Sequence, residues 1–407
     1  MQPLPGFRDF YPEDCAFRRW IIDSWRLWAH RYGFVEYDGP PLEPLELYKK
    51  KSGDELVGQL YHFVDKGDRE VALRAEMTPT LARMVSARHR DFRKPLKWFS
   101  VPQVFRYERS QKGRLREHFQ LNCDLIGEQG LDADIELISL CLDILRGLGL
   151  QADDIVVRLS DRQFWVDFLR AQSVPEDQWY MVFQAIDKSE REPEEKTRER
   201  LGALADPVLQ VLRGGATSER LDYVMKGLAA RGLAEFAQVD FRIVRGLAYY
   251  TGVVFEVFDR KGEFRAIAGG GRYDDLLEKL GQESLPAVGF GMGDVVLGEL
   301  LKARGLAPKI KDHLQAFVVL AEEAHRLAAS GIVQQLRQAG LSVDYPLAET
   351  KMKKQFESAE HRGARFIVIV DSKFAEGLVH LKELSTREQI EVPVTELLST
   401  LQAKFKG

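Results

Sequence analysis

Apolar residues near the start of the chain recur at helical spacing. Phe17, Ile21, Trp25, Trp28 and Tyr32 follow one another at three- and four-residue steps, Ile22 joins the stripe, and Gly33 stops it. Residues 34–37 then predict a short strand that runs into Gly39-Pro40-Pro41. Proline has no amide proton for a ladder, so this strand lies at an edge or interface, or ends there. Residues 71–74 predict another strand and 79–90 a helix. Residues 96–108 predict a long strand, 109–113 a loop, and 114–126 a second strand that alternates. Arg116, His118, Gln120, Asn122 and Asp124 share one of its faces, and Leu121, Cys123 and Leu125 the other. A polar row of that length is costly on a buried face. It is therefore either the floor of a site or the solvated outer face of a sheet.

Residues 160–238 are helical in pattern and include a charged stretch at 188–200, the composition of a solvated helix face or loop. They predict an inserted helical module. Strands return at 253–258 and 264–268, joined by Asp259-Arg-Lys-Gly262. Gly269-Gly-Gly-Arg-Tyr-Asp274 follows, and then a glycine-rich strand at 288–293. Glycines clustered in strands mark places where another backbone or a ligand comes close. After Pro308 the pattern becomes strand 317–320, helix 322–339, strand 341–345, helix 350–362 and strand 366–370. This βαβαβ run predicts a separate α/β domain with a partly parallel sheet.

Composition narrows the class. At 407 residues the chain is too long for one ordinary core, and 45% hydrophobic residues can bury a substantial one. A net charge of -4 gives no global attraction to nucleic acid, so RNA contact would have to come from local basic patches. Cys15, Cys123 and Cys141 form no Cys-x-x-Cys and no zinc spacing, so no metal held by the protein itself is expected. No apolar run approaches the roughly 18 residues of a membrane span. Residues 1–6 lack a charged lead and an apolar stretch. The expectation is a soluble, cytoplasmic protein.

The richest chemistry lies at 105–120, where four arginines and a lysine sit on a predicted hairpin beside carboxylates. Guanidinium forks suit phosphate oxygens, but the same residues would make a surface ion-pair ladder. Arg245-Gly-Leu-Ala-Tyr-Tyr-Thr251 is a second unusual group and the glycine run at 269–274 a third. No Walker A sequence and no strand–GxGxxG–helix unit is present, which excludes the two commonest nucleotide folds.

Taken together, these segments resemble histidyl-tRNA synthetases. The helix, strand and Pro40 look like class II motif 1, Phe105-Arg-Tyr-Glu108 through Arg116 like motif 2, and Arg245–Thr251 and Gly270-Gly-Arg-Tyr-Asp274 like the two histidine signatures. The resemblance implies an α/β chain whose α+β catalytic domain is an antiparallel sheet flanked by helices. It divides the chain into a catalytic domain at 1–159 and 239–307, the helical insertion at 160–238, and an anticodon-binding domain at 310–407. It implies a homodimer built through motif 1.

The implied reaction activates L-histidine with ATP and Mg2+ and passes it to histidine tRNA. The resemblance puts Arg106 and Arg245 on the α-phosphate as the catalytic pair. Glu108 would bind near the adenine amino group, His118 would stack on the ring, and Arg114 would reach the outer phosphates. Glu76, Thr78 and Gln120 would hold the histidine amino group and Arg106 its carboxylate, with Arg245 also counted in the histidine site. Asp124, Tyr249, Tyr250 and Tyr273 would form the imidazole pocket. Gln111 and Arg116 would meet the tRNA acceptor end, and Lys351, Lys353 and Lys354 would either touch RNA or make a solvated helix end.

Two positions depart from the family pattern. Ala248 stands where many relatives carry Asp, and Gly293-Asp-Val-Val296 replaces the Glu-Arg of motif 3. Valine at 296 removes the arginine expected on the γ-phosphate, leaving Arg114, with Arg272 as a second candidate. The rival reading is a regulatory paralogue of ATP phosphoribosyltransferase, which resembles the same core without the C-terminal domain. A third is a binding module built on an inactive core. Retention of Arg106, Glu108, Arg114, Arg116 and residues 314–407 favours the ligase.

Overall fold

The structure, a computed structural model, describes residues 1–49, 58–108, 113, 115–244, 250–275, 278, 284–309 and 314–406. The first apolar stripe forms helix α1, Pro12–Arg31. Proline opens it, Glu13 and Asp14 occupy the first turn, and His30 and Arg31 the last, the charge order that the helix dipole favours. Gly33 ends it at a φ of 76°, which costs glycine little. Ile21, Trp25 and Ala29 are its buried face.

Met1–Pro308 is one compact unit and Lys309–Gly407 a second. In the first, the main sheet orders its described strands as β1 (Val35–Glu36), β5 (Leu96–Ser100), β7 (Glu117–Ile126), β12 (Ala287–Gly293), β11 (Ala268–Arg272), β10 (Val253–Asp259), β8 (Ile155–Asp161) and β9 (Ala237–Val239). Strand β6 (Gln103–Phe105) also pairs with β7. The outer pairs β1–β5 and β8–β9 are parallel, and the pairs between them are antiparallel. β2 (Leu42–Pro44), β3 (His62–Val64) and β4 (Glu70–Leu73) make a small antiparallel sheet. Helix α2 (Thr78–Arg88) follows it.

One face of the main sheet is apolar. Leu121, Cys123, Phe255, Phe290 and Met292 pack there against α1, α3 (Leu131–Gly147) and α9 (Asp294–Ala303). The helical stretch between β8 and β9 comprises α4 (Arg162–Ala171), α5 (Trp179–Lys188), α6 (Glu194–Leu201), α7 (Ala205–Leu212) and α8 (Glu219–Ala230). Its charged run is a solvated face, with Arg198 paired to both Glu194 and Asp206.

Three expected elements differ. The single strand over 96–108 is two strands, β5 and β6, both laid along β7. The break falls at Val101-Pro102, where proline cannot continue the ladder. The strand expected from residue 114 begins at Glu117. The hairpin partner expected at 264–268 is β11, which contains the glycine run itself. Those glycines permit the approach of β12, because a Cβ at Gly270 would lie 2.2 Å from the Gly289 carbonyl oxygen.

The second unit orders its strands β14 (Val343–Asp344), β13 (Ala316–Leu320), β15 (Phe366–Val370), β16 (Leu378–Glu383) and β17 (Gln389–Pro393). β13 runs parallel to both β14 and β15, and the remaining pairs are antiparallel. Helices α10 (Arg326–Gln338), α11 (Met352–His361) and α12 (Leu397–Lys406) complete it.

Candidate active site

Register decides what the polar row of β7 is. Residues paired across a ladder share a face. Asp124 pairs with Gly289, which pairs with Gly271, which pairs with Val254. Asn122 pairs with Gly291, then Gly269, then Glu256, then Arg158. Gln120 pairs with Gly293. Five glycines therefore pave the face opposite the helix layer. The polar row is the rim of a floor with no side chains of its own. Larger residues would not fit there: a Cβ at Gly289 would lie 2.1 Å from Asp124 Oδ1, and one at Gly291 would lie 2.8 Å from Gln120 Nε2.

A cavity of about 770 Å³ opens over this floor. From β7 to β8 it crosses four strand spacings, about 19 Å. Arg106, Glu108, His118 and Gln120 line it at the β7 side, with Val295 and Val296 of α9. Arg106 follows β6, and its Nε donates to the Ala75 carbonyl at 2.9 Å. Burial, and then the nearby positive charges of Arg106 and Arg8, push the His118 imidazole from 6.5 down to about 3. The ring is neutral at physiological pH.

Of the residues expected around the imidazole, the described ones, Asp124, Tyr250 and Tyr273, meet beyond Gln120. Asp124 is four residues further along β7, about 13 Å. It is buried, and the Tyr273 hydroxyl donates to its carboxylate. Tyr250 and Tyr273 pack in one cluster with Leu81 and Val85 of α2, which covers this end of the face. Glu76 is buried just before α2, and Thr78 opens that helix.

Arg116 braces motif 2 from within. Its guanidinium lies 4.3 Å from the Tyr107 ring centre, and its Nε donates to the Glu108 carbonyl. Gln111, Arg114, Arg245 and Tyr249 lie outside the described residues. Arg272 is not a phosphate ligand. It sits one position off the glycine row, on the reverse face, where it pairs with buried Asp134 and donates to the Glu128 and Gly130 carbonyls.

Some contributors escape sequence reasoning. On the reverse face of β7, Arg8 pairs with Glu117 at 2.6 Å and with Asp294 at 2.9 Å. Asp294 also accepts from the Phe119 amide. This net ties the N-terminal segment, motif 2 and the start of α9 together. Glu256 and Arg265 line the cavity as well. Only the parity of β10 against the glycines could have pointed to Glu256.

The histidyl-tRNA synthetase family model matches residues 6–293, and an anticodon-binding domain model matches 315–404. The chain is 48% identical to a histidine–tRNA ligase of Opitutus terrae over 99% of the chain and 98% of that protein. It is 39% identical to the chloroplastic/mitochondrial histidine–tRNA ligase of Arabidopsis thaliana, over 98% of the chain and 86% of that protein. The crystal structure of histidyl-tRNA synthetase from Nostoc sp. PCC 7120 superposes with a TM-score of 0.81 at 23% identity, covering 99% of each chain. On the strength of these matches, the chain belongs to the histidyl-tRNA synthetase family.

Proposed function

We propose that the chain is a histidine–tRNA ligase. A carboxylate oxygen of L-histidine attacks the α-phosphorus of ATP, the bond to the β-phosphate oxygen breaks, and pyrophosphate leaves with the electron pair. A hydroxyl of the terminal adenosine of histidine tRNA then attacks the histidyl carbonyl, loses its proton and releases AMP. The supporting observation is the buried Asp124, aligned by Tyr273, on the same glycine-paved face as the cavity that holds Arg106, Glu108 and His118.

Two anions must meet in the first step, and Arg106 supplies positive charge where they do. The reading adds Arg245 from the opposite side, Glu108 and His118 for adenine, and Glu76, Thr78 and Gln120 for the amino group. Asp124, with Tyr249, Tyr250 and Tyr273, recognises the imidazole. A pocket built to hydrogen-bond the ring nitrogens disfavours amino acids that lack them by roughly 10⁴-fold. Among the described residues no three Asp, Glu, His or Cys side chains gather around a common metal position. Glu256 in the cavity fits as a carboxylate for a magnesium ion held chiefly by ATP phosphates. That ion would offset phosphate charge.

Gln111 and Arg116 are proposed for the acceptor end. Lys351, Lys353 and Lys354 are exposed at the start of α11, against the sense of the helix dipole, which favours a phosphate partner. Exposed Val35 and Leu42 at the motif 1 edge suit a homodimer interface. A cytoplasmic location is proposed for the chain, in keeping with work on tRNA. No described helix is long and apolar enough to cross a membrane.

The deciding assay is transfer of labelled histidine to total tRNA by the purified protein, beside histidine-dependent ATP–pyrophosphate exchange. Charging with histidine alone among the amino acids is expected. Absence of both activities, with co-purification of a phosphoribosyltransferase, would favour the regulatory paralogue.

A further inference from the structure

The chain lacks the motif 3 arginine, yet the position it leaves is not without a cation nearby. Val296 lines the cavity from α9. At Gly113, in the motif 2 turn, a Cβ would lie 3.4 Å from Val296 Cγ2 and 3.9 Å from Arg265 Cδ. The two side chains therefore flank one point, at the end of the cavity that holds Arg106, Glu108 and His118.

Other cavity cations are placed differently. Arg158 is held by Glu190 at 2.7 Å and by Asp240, and Arg242 faces the same Asp240. Arg191 adjoins Glu190 and so belongs to the β8 side. Arg272, the candidate suggested by sequence, is locked to Asp134 on the reverse face.

Arg265 is exposed, and its chain segment is anchored on both sides. Asp259 accepts from the Glu263 amide at 2.8 Å, and Arg304 reaches both Asp259 and Glu263. Two residues after Arg265, the Ile267 amide donates to the Val257 carbonyl at 2.8 Å. A guanidinium on so fixed a hairpin can serve as a pre-positioned anion contact.

We propose that Arg265 takes the place of the missing motif 3 arginine and binds the outer phosphates of ATP and the departing pyrophosphate. This rests on the ATP-dependent activation proposed above. The contact comes from the β10–β11 hairpin instead of the helix after β12, so this chain grips the triphosphate from a different structural element.

The test uses Arg265→Ala and Arg265→Lys in the full-length protein. ATP–pyrophosphate exchange would be titrated separately with ATP and with pyrophosphate. Binding of a non-hydrolysable histidyl-adenylate analogue, which has no outer phosphates, would be measured by calorimetry. Arg265→Ala should raise the KM for ATP and for pyrophosphate about tenfold, or about 1.4 kcal/mol. Analogue binding should stay within about twofold, and Arg265→Lys should recover part of the loss. An unchanged KM for ATP, or analogue affinity falling in step with it, overturns the proposal. If the unmodified protein shows no histidine-dependent exchange, the activation reading fails instead. Calorimetric ATP titration of the unmodified protein and Arg265→Ala then still decides the phosphate contact, with equal affinities counting against it.

Discussion

His118 shows how one side chain couples site and stability. In the unfolded chain its ring takes up a proton as the pH falls below 6.5, whereas in the folded chain it stays neutral to about 3. The unfolded state binds more protons in that window, so stability falls as the pH falls through it. His118→Phe removes this component and keeps an aromatic face for adenine. Urea melts of the variant should lose stability less steeply between pH 6.5 and about 4 than those of the unmodified protein. Parallel slopes would show that the ring is solvated and titrates normally. The residue scale is also where sequence reading erred. Arg272 stood as a second candidate for the γ-phosphate, and the glycines before it carry no alternation from which to count faces. The ladder puts Gly271 on the site face and Arg272 behind it.

At the scale of elements, alternation along β7 revealed a polar row, but its purpose depended on strands more than 140 positions away. Only the pairing with β12 and β11 distinguishes a paved floor from a solvated face, and long-range pairing leaves no local signature. The floor should tolerate no added carbon. Gly289→Ala places a methyl group 2.1 Å from the Asp124 carboxylate, which must turn away from Tyr273. Steady-state exchange should show the KM for histidine rising about tenfold or more, with that for ATP changing less than about threefold. Equal effects would mean the strand had shifted as a whole. The Arg8 net was illegible for the same reason, since its members lie at positions 8, 117 and 294. Burial raises the Asp294 carboxyl pKa, and Arg8 offsets part of that effect. Arg8→Ala leaves two buried carboxylates facing each other and should cost about 3–5 kcal/mol in denaturant unfolding. A loss below about 1 kcal/mol would assign the pair the modest value of an exposed one.

For the molecule as a whole, every described residue assigned to the ATP and histidine sites lies within Met1–Pro308. Removing residues 309–407 should therefore leave histidine-dependent pyrophosphate exchange largely intact. Charging should fall sharply, because the RNA-phosphate contacts proposed for the C-terminal unit, strongest at low salt, would go with it. Unchanged charging by the truncated protein would remove that unit from tRNA recognition. Sequence periodicity already outlined the first part of this unit, up to β15, because β13 and β15 are short, locally readable apolar runs and α10 buries a spaced apolar face. The glycine floor has a consequence at the level of the gene. Every single-base missense change at a glycine codon adds at least one carbon atom, and third-position changes are all silent. The five paving positions therefore have no conservative neighbours in codon space. A laboratory search for altered amino-acid preference should recover its variants around the rim, at positions such as Asp124 and Tyr273, and almost none from the floor.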